Sequence, residues 1–333
     1  MTALERVPGE GLPLERVLVI KLSALGDVIL AMAVFARIRA AHPAAHITLL
    51  TTPPYEDLML ASPWVDAVET DGRPRTLAGF FGLIGRLRRA RFQRVYDLQS
   101  NDRTNLYFQA LRPFPPVWSG TAFGCARPHR NPDRMRMHTL EREADQLRAA
   151  GIWPDAPIAR GAAPGPDIAW LIGEHPSPGD QGSPLALVVP GASAGRPLKR
   201  WPAHAYGDLA RALILRGYEV VIVGGETERD LGAEIAGHAP GARDLTAQTD
   251  FREVARLGAR AHLAVGNDTG PLHLIAAAGA PTLALFSGES DPDLCAPRGR
   301  VAVLRESVLA NLDPAIVIDK ALAISRWPGP QMP

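Results

Sequence analysis

The sequence predicts a two-domain α/β protein, each half a parallel sheet covered by helices on both faces. Three observations carry this. Short apolar runs alternate with longer helix-period segments along the chain, the pattern left by parallel strands joined through crossover helices. The runs RVLVI (16–20), LALVV (185–189) and EVVIV (219–223) are almost continuously apolar, as strands buried on both faces must be. The stretch 154–184, dense in Pro and Gly, then interrupts the alternation near the middle of the 333 residues, where a linker belongs.

The elements follow in order. After RVLVI comes the loop KLSALGD, then VILAMAVFARIRAAH as a helix. ITLL (47–50), RVYDL (94–98) and PVWSG (116–120) read as later strands, with helical patterns near 76–90, 102–111 and 138–150. Beyond the linker, LALVVPG is a strand and loop, and AHAYGDLARALILRG a helix stopped by a glycine cap. EVVIVGG is a strand; ERDLGAEIAG and FREVARLGARA are helices; LAVGND, a helix over 269–279 and PTLALFSG complete the series. The halves are therefore Rossmann-like. Residues 1–160 form the first, 161–184 the linker and 185–308 the second, and a helix within 309–333 is expected to pack back on the first half. Open sheets of this kind bind ligands at the carboxyl ends of their strands, so the site is expected in the cleft between the halves.

Composition removes several classes of function. A net charge of +1 gives no general case for nucleic-acid binding. Two distant cysteines form neither a disulfide framework nor a metal-ligand spacing, which fits a reducing, cytoplasmic setting. The first twenty residues carry charges where a secretory signal needs an apolar run. The charge is divided unevenly: 21 Lys and Arg against 16 Asp and Glu over residues 1–165, and 15 against 19 over residues 166–333. Only Lys21, Lys199 and Lys320 are lysines in this arginine-dominated chain, so a lysine kept on a loop is informative.

Four loops at expected strand ends carry the chemistry. GNDTGPLHL (266–274) brings Asp268, Thr269, Gly270 and His273 to a helix start. Capping accounts for the Asp or the Thr but not for His273; exposed N–H groups and the positive end of a helix dipole suit an anion. PGASAGRPLKRWP (190–202) places small residues before Lys199 and Arg200; a compact ammonium suits a phosphate oxygen. GGETERD (224–230) offers Glu226, either to ribose hydroxyls or simply to a helix N-terminus. KLSALGD offers Asp27, either a cap or a carboxylate facing the cleft and able to take a proton. Asp291 and Asp293 form a D-x-D pair, but Asp before Pro starts a short helix, and neither a metal nor another cofactor is expected. The first half also holds an arginine-rich stretch, 72–96, in which Arg86, Arg88, Arg89 and Arg91 interleave with apolar residues; it reads as a solvated helix face or as a patch for an anionic acceptor or membrane surface. Arg103 and the basic loop 125–138 lie in the same half.

RVLVIKLSALGDVIL, PGASAGRPLKRWP and GNDTGPLHLIAAAGAPTLALFSG together resemble, in order and spacing, the bacterial ADP-heptose:lipopolysaccharide heptosyltransferases, glycosyltransferase family 9. The resemblance spans roughly residues 16–305 and implies the GT-B fold, two Rossmann-like domains facing across a cleft. It implies inverting transfer of a heptose from ADP-heptose to the lipopolysaccharide inner core, at the cytoplasmic face of the inner membrane. It makes Asp27 the general base, and Ser193, Lys199, Glu226, Asp268, Thr269, Gly270 and His273 the donor site, with Glu228 in place of Glu226 if that loop is shifted. Arg86, Arg88, Arg89, Arg91 and Arg103 are the expected acceptor contacts. The residues by themselves also admit a GT-B-shaped epimerase or a non-catalytic nucleotide binder.

Overall fold

The computed structural model describes residues 14–174, 183–192 and 197–327. The first half runs β1 (Arg16–Ile20), α1 (Leu25–Ala41), β2 (His46–Leu50), α2 (Glu56–Leu60), β3 (Ala67–Glu69), α3 (Leu77–Ala90), β4 (Arg94–Asp97), α4 (Asp102–Ala110), β5 (Val117–Gly120), β6 (Arg127–Pro128) and α5 (Thr139–Ala150). A short helix, α6 (Ala169–Ile172), lies in the linker. The second half runs β7 (Leu185–Val189), α7 (Ala203–Ile214), β8 (Glu219–Ile222), α8 (Arg229–His238), β9 (Arg243–Asp244), α9 (Phe251–Arg260), β10 (Leu263–Asn267), α10 (Gly270–Ala277), β11 (Thr282–Phe286), α11 (Pro292–Cys295), β12 (Val301–Arg305) and α12 (Pro314–Ile324).

Each half holds one six-stranded sheet, ordered β3-β2-β1-β4-β5-β6 and β12-β11-β10-β7-β8-β9, and every pairing is parallel. The order reverses between β1 and β4 in one sheet and between β7 and β10 in the other. At such reversals the loops leave in opposite directions and open a crevice. KLSALGD follows β1, and the loops after β7 and β10 carry the second and third motifs, so both crevices receive the sequence elements that bear chemistry.

The central strands are where the sequence says they are, because burial on both faces leaves an unbroken apolar run. Val17 to Ile20, Leu185 to Val189 and Val220 to Ile222 are all buried. The short edge strands β3, β6 and β9 are absent from the sequence reading, since two or three residues at a sheet edge give no periodic signal. β12 is an apolar run which that reading does not include. The glycine expected to stop α7 does so: Gly217 has φ +88°, and the Tyr218 N–H reaches back to the Leu213 carbonyl at 3.1 Å.

The C-terminal helix corrects one expectation. α12 packs on α7 and against β10 and β11 rather than on the first half. Its buried residues Val317 and Ala321 join the cluster of Val188, Leu209, Val265 and Leu283, so its apolar face is spent on the second sheet. The linker also belongs partly to the second half: Arg252 and Arg256 of α9 donate to the carbonyls of Leu171 and Ile172 that end α6.

Candidate functional site

Two helix N-termini meet between the halves. α1 begins at Leu25 and α10 at Gly270, and a Cβ on Gly270 would overlap the Leu25 side chain. One turn further, a Cβ on Gly26 would lie 2.9 Å from both Cδ2 and Nε2 of His273. Glycine is required at both positions because backbone meets side chain across the interface. The positive ends of two helix dipoles thus converge on one spot.

Beside them, Lys199 Nζ donates to Asp268 Oδ2 at 2.8 Å, and both side chains are largely buried. His273 Nε2 lies 3.7 Å from the other oxygen of Asp268. Burial works to raise the Asp268 pKa, but His273 and Lys199 outweigh it and hold the carboxyl at about 2. Asp268 is therefore a carboxylate that fixes two cationic or donor groups, and it is not a helix cap. Thr269 occupies the N-cap position of α10 with no side-chain hydrogen bond. Pro271 has no N–H, and the Leu272 and His273 N–H groups turn back to the Thr269 carbonyl at 3.1 and 3.3 Å, so among the described residues the Gly270 N–H is the one of this first turn without an acceptor. His273 Nδ1 is buried with no hydrogen-bond partner among the described residues.

Asn267, which the sequence reading passes over, organises these loops. It is fully buried at the end of β10; its Nδ2 donates to the carbonyls of Pro190 at 2.8 Å and Gly191 at 3.2 Å. Its Oδ1 accepts from the Trp201 N–H at 3.2 Å and the Tyr206 hydroxyl at 2.9 Å. One side chain thereby ties the β7 loop to the β10 loop and holds the segment that carries Lys199. Ser193 lies outside the described residues.

The structure separates the two glutamates of GGETERD. Glu226 is exposed and pairs with Arg229 through both carboxylate oxygens at 2.9 and 2.8 Å. Glu228 is buried; its Oε2 accepts from the Gly225 N–H at 3.0 Å, and its Oε1 from the Thr227 hydroxyl at 2.8 Å. The buried carboxylate is thus Glu228, because the 3-10 turn at 226–228 leaves Glu226 in solvent and brings Glu228 beneath the β7 loop, where a Cβ on Gly191 would touch it. Gly224 and Gly225 border a cavity of about 530 Å³ closed by Thr249 and Phe251 on the second half, Pro271 at the start of α10, and Pro54 and Leu58 on the first.

Asp27 stands at the third position of α1, half-buried. Its Oδ2 accepts from the Ala24 N–H at 3.1 Å, so the capping role read from sequence is present. It follows Gly26, on which His273 packs, and it acts on Cys295 together with Asp268 and Lys199, so its carboxylate belongs to the same interface. Cys295, one of the two cysteines, is half-buried near them. Burial pushes the Cys295 thiol up to about 12, with the carboxylates of Asp268, Asp27 and Asp291 adding to the shift and Lys199 opposing it. Asp291 caps α11, accepting from the Asp293 N–H at 3.1 Å, and Asp293 pairs with Arg160, as the Asp-Pro start of a short helix predicts.

The arginine run is where the structure departs most from expectation. Arg88 donates to the carbonyls of Ala110 and Arg112 at the end of α4. With Arg91 it lines a groove with Gln93, Pro116 and Val117, at the amino ends of β4 and β5. The cleft lies at the carboxyl ends, about four residues or roughly 13 Å of strand away. Arg86 is paired with Asp71, and Arg89 is exposed in the last turn of α3. The reason is topological: a helix that returns from one parallel strand to the next ends at the sheet edge opposite the crevice. Arg103 does lie at the cleft end, opening α4 directly after β4, and so does Arg73, which donates to the Ser23 hydroxyl in the KLSALGD loop.

Beneath this rim, Lys21 Nζ contacts Glu143 Oε1 at 2.5 Å with both side chains buried. Burial raises the Glu143 pKa against the opposing Lys21 charge. Asp97, fully buried at the end of β4, is pushed by burial to about 6 although the Ser100 N–H donates to it. The halves are also tied by ions: Arg298 donates to both oxygens of Glu141 at 2.6 Å, and His138 Nε2 lies 2.9 Å from the Ala296 carbonyl.

Comparison with known proteins places this geometry in a family. The family model described as glycosyltransferase family 9 (heptosyltransferase) matches residues 136–311. The chain is 27% identical over 312 residues to lipopolysaccharide heptosyltransferase 2 of Salmonella typhimurium strain LT2, and 27% identical over 305 residues to that of Escherichia coli strain K12, covering 85% of each chain in both cases. Among solved structures, E. coli ADP-heptose lps heptosyltransferase II superposes with a TM-score of 0.74 at 24% identity, covering 93% of this chain and 98% of that one. E. coli heptosyltransferase WaaC with ADP gives 0.71 at 21%, covering 92% and 98%. The two facing parallel sheets are thus the GT-B arrangement of those enzymes. With the family model spanning more than half of its length, the chain belongs to glycosyltransferase family 9 and is a glycosyltransferase of the heptosyltransferase type.

Proposed function

We propose that this protein transfers a heptose from ADP-heptose to the inner core of lipopolysaccharide with inversion at the anomeric carbon, Asp27 acting as general base. The observation that carries the reading is the convergence of the α1 and α10 N-termini on the buried Lys199–Asp268 pair. In this mechanism the diphosphate lies at the N-terminus of α10, where the Gly270 N–H and the helix dipole face it, with Lys199 turned toward it and Asp268 keeping the ammonium in place. The adenosine occupies the cavity beside Gly224 and Gly225, its ribose near Glu228. The acceptor hydroxyl gives its proton to Asp27 as its oxygen bonds to the anomeric carbon. The bond from that carbon to the diphosphate oxygen breaks, and ADP leaves with the electron pair. Donor groups aimed at the departing oxygens stabilise charge that grows only as the bond breaks. A single displacement needs one base and one leaving-group site, and these come from opposite halves. The donor and acceptor classes follow those named for the relatives. An acceptor of that class is anchored in a membrane, so the protein works peripherally at the cytoplasmic face; no described helix is long and apolar enough to cross a bilayer.

The test is calorimetry with ADP, UDP and GDP, followed by incubation with ADP-heptose and a heptose-deficient core oligosaccharide. Preferential binding of ADP and a product one heptose heavier, with inverted anomeric configuration, are expected. Preference for UDP, retention of configuration, or release of free sugar with no transfer would overturn the reading.

A further inference from the structure

We propose that the outer rim of α3 and α4 is the surface by which this protein rests on an anionic bilayer, with Leu77, Phe81, Leu106 and Phe123 entering the headgroup region. The inference rests on the reading above that the acceptor is a membrane-anchored glycolipid, and it names the partner of the acceptor half.

Of the large apolar side chains that this half leaves in water, four gather on one rim, apart from Phe114 and Val117 at the opposite sheet edge. Leu77 and Phe81 are one turn apart on α3, exposed by 77% and 67%; Leu106 on α4 is 54% exposed, and Phe123 87%. Their supports make them contiguous. Phe80 packs on Phe81 and on Tyr107, with ring centroids 5.6 and 6.0 Å apart, which joins α3 to α4 at Leu106. Gln109 of α4 donates to the Phe123 carbonyl at 2.9 Å, and Thr121 to Asn105 at 3.2 Å, which fixes the Phe123 loop on the same helix. These apolar tips therefore stand on a rigid base.

Cations flank them. Arg73, Arg75 and Arg103 have no acidic partner within ion-pair distance among the described residues. Arg103 reaches the Pro74 carbonyl and Arg73 the Ser23 hydroxyl, so the charges sit where the apolar rim meets the mouth of the cleft. Asp71 nearby is neutralised by Arg86, and Asp102 is the one acid of these segments without an ion-pair partner among the described residues. Apolar insertion and attraction to anionic lipid are each weak alone and hold a protein at a membrane together. With this rim on the bilayer, the cleft opens beside the headgroups, where a lipid-anchored acceptor presents its sugar.

The experiment is co-sedimentation of the full chain with vesicles of phosphatidylglycerol and phosphatidylethanolamine, and with vesicles of phosphatidylcholine alone. Binding to the anionic vesicles is expected to be at least about tenfold tighter. Phe81→Ser/Leu106→Ser and Arg73→Gln/Arg75→Gln/Arg103→Gln should each lower it by about tenfold or more, whereas Arg88→Gln/Arg91→Gln, at the opposite sheet edge, should not. ADP calorimetry and circular dichroism on the same samples show that each variant is folded. Equal binding by wild type and the Phe81/Leu106 variant overturns the proposal, as does indifference of wild type to anionic vesicles, or a wild-type dimer in light scattering that either rim variant dissolves. If vesicle binding follows the prediction but ADP does not bind, the donor reading fails and the surface stands.

Discussion

Gly26 of the first half and His273 of the second are packed so closely that a single added carbon on Gly26 would lie 2.9 Å from the imidazole. The contact sets how near α1 can approach α10, and so how near Asp27 comes to the Lys199–Asp268 pair. The imidazole is buried and has little room to move. Gly26→Ala should therefore cost about 1–3 kcal/mol, the range for overpacking, and should weaken ADP binding. Gly237→Ala is the control: it is a position in the last turn of α8 with nothing within 4 Å of a new Cβ, and helix propensity alone should make it neutral or stabilising by up to about 1 kcal/mol. Thermal unfolding of both variants checks the pair.

Lys199 is expected to matter more for ADP than for folding. Lys199→Ala removes a charge-assisted donor, worth about 1.5–3 kcal/mol, or roughly 10- to 100-fold in ADP affinity. Asp268→Asn should weaken ADP binding as well, by freeing Lys199 from its position. ADP affinity unchanged in both would move the diphosphate elsewhere.

Asp27 carries a cap and, in the proposed mechanism, a proton. Asp27→Asn keeps an oxygen for the Ala24 N–H, so unfolding temperature and ADP affinity should stay close to wild type while turnover falls by about 10²–10⁴-fold. Asp27→Ala should lose the cap too, at about 1 kcal/mol. Full turnover in the Asn variant would leave Asp27 with its structural role alone.

The two glutamates of GGETERD can be told apart directly. Glu226→Gln should leave ADP affinity unchanged, because Glu226 faces solvent with Arg229. Glu228→Ala should weaken it, since Glu228 fixes the Gly225 N–H beside the cavity. The reverse result in calorimetry would restore Glu226 to the site.

Asp97 gives the fold a pH dependence of known sign. Its carboxyl sits at about 6 in the folded protein, against about 3.9 in an unfolded chain. The folded state therefore holds a proton that the unfolded state has lost. The resulting stability is full below pH about 4 and disappears as pH rises through about 6, a change of about 3 kcal/mol at roughly 1.4 kcal/mol per unit. Asp97→Asn mimics the protonated form and keeps an oxygen for the Ser100 N–H. It should therefore match wild type at low pH and be the more stable protein above pH 6. Parallel urea titrations across that range measure the difference.

The sequence by itself determined the two parallel sheets, their linker and the loops that carry chemistry. Strands buried on both faces must be apolar throughout, and polar residues placed directly after such strands fall at the sheet edge that faces a ligand. Lys199, Asp268 and His273 are recognisable for that reason, each being a polar group on a loop between buried elements. What only the tertiary structure decided is which of the named residues share a space. The sequence could not tell Glu226 from Glu228, because two residues of 3-10 turn reverse which one is buried. It could not tell Arg103 from Arg88 and Arg91, because a crossover helix carries its two ends to opposite edges of the sheet. Nor could it give Asn267 its place, since that side chain acts through carbonyls of the β7 loop 76 and 77 residues away. Local periodicity fixes where a strand ends; only packing between distant segments fixes what stands beside it.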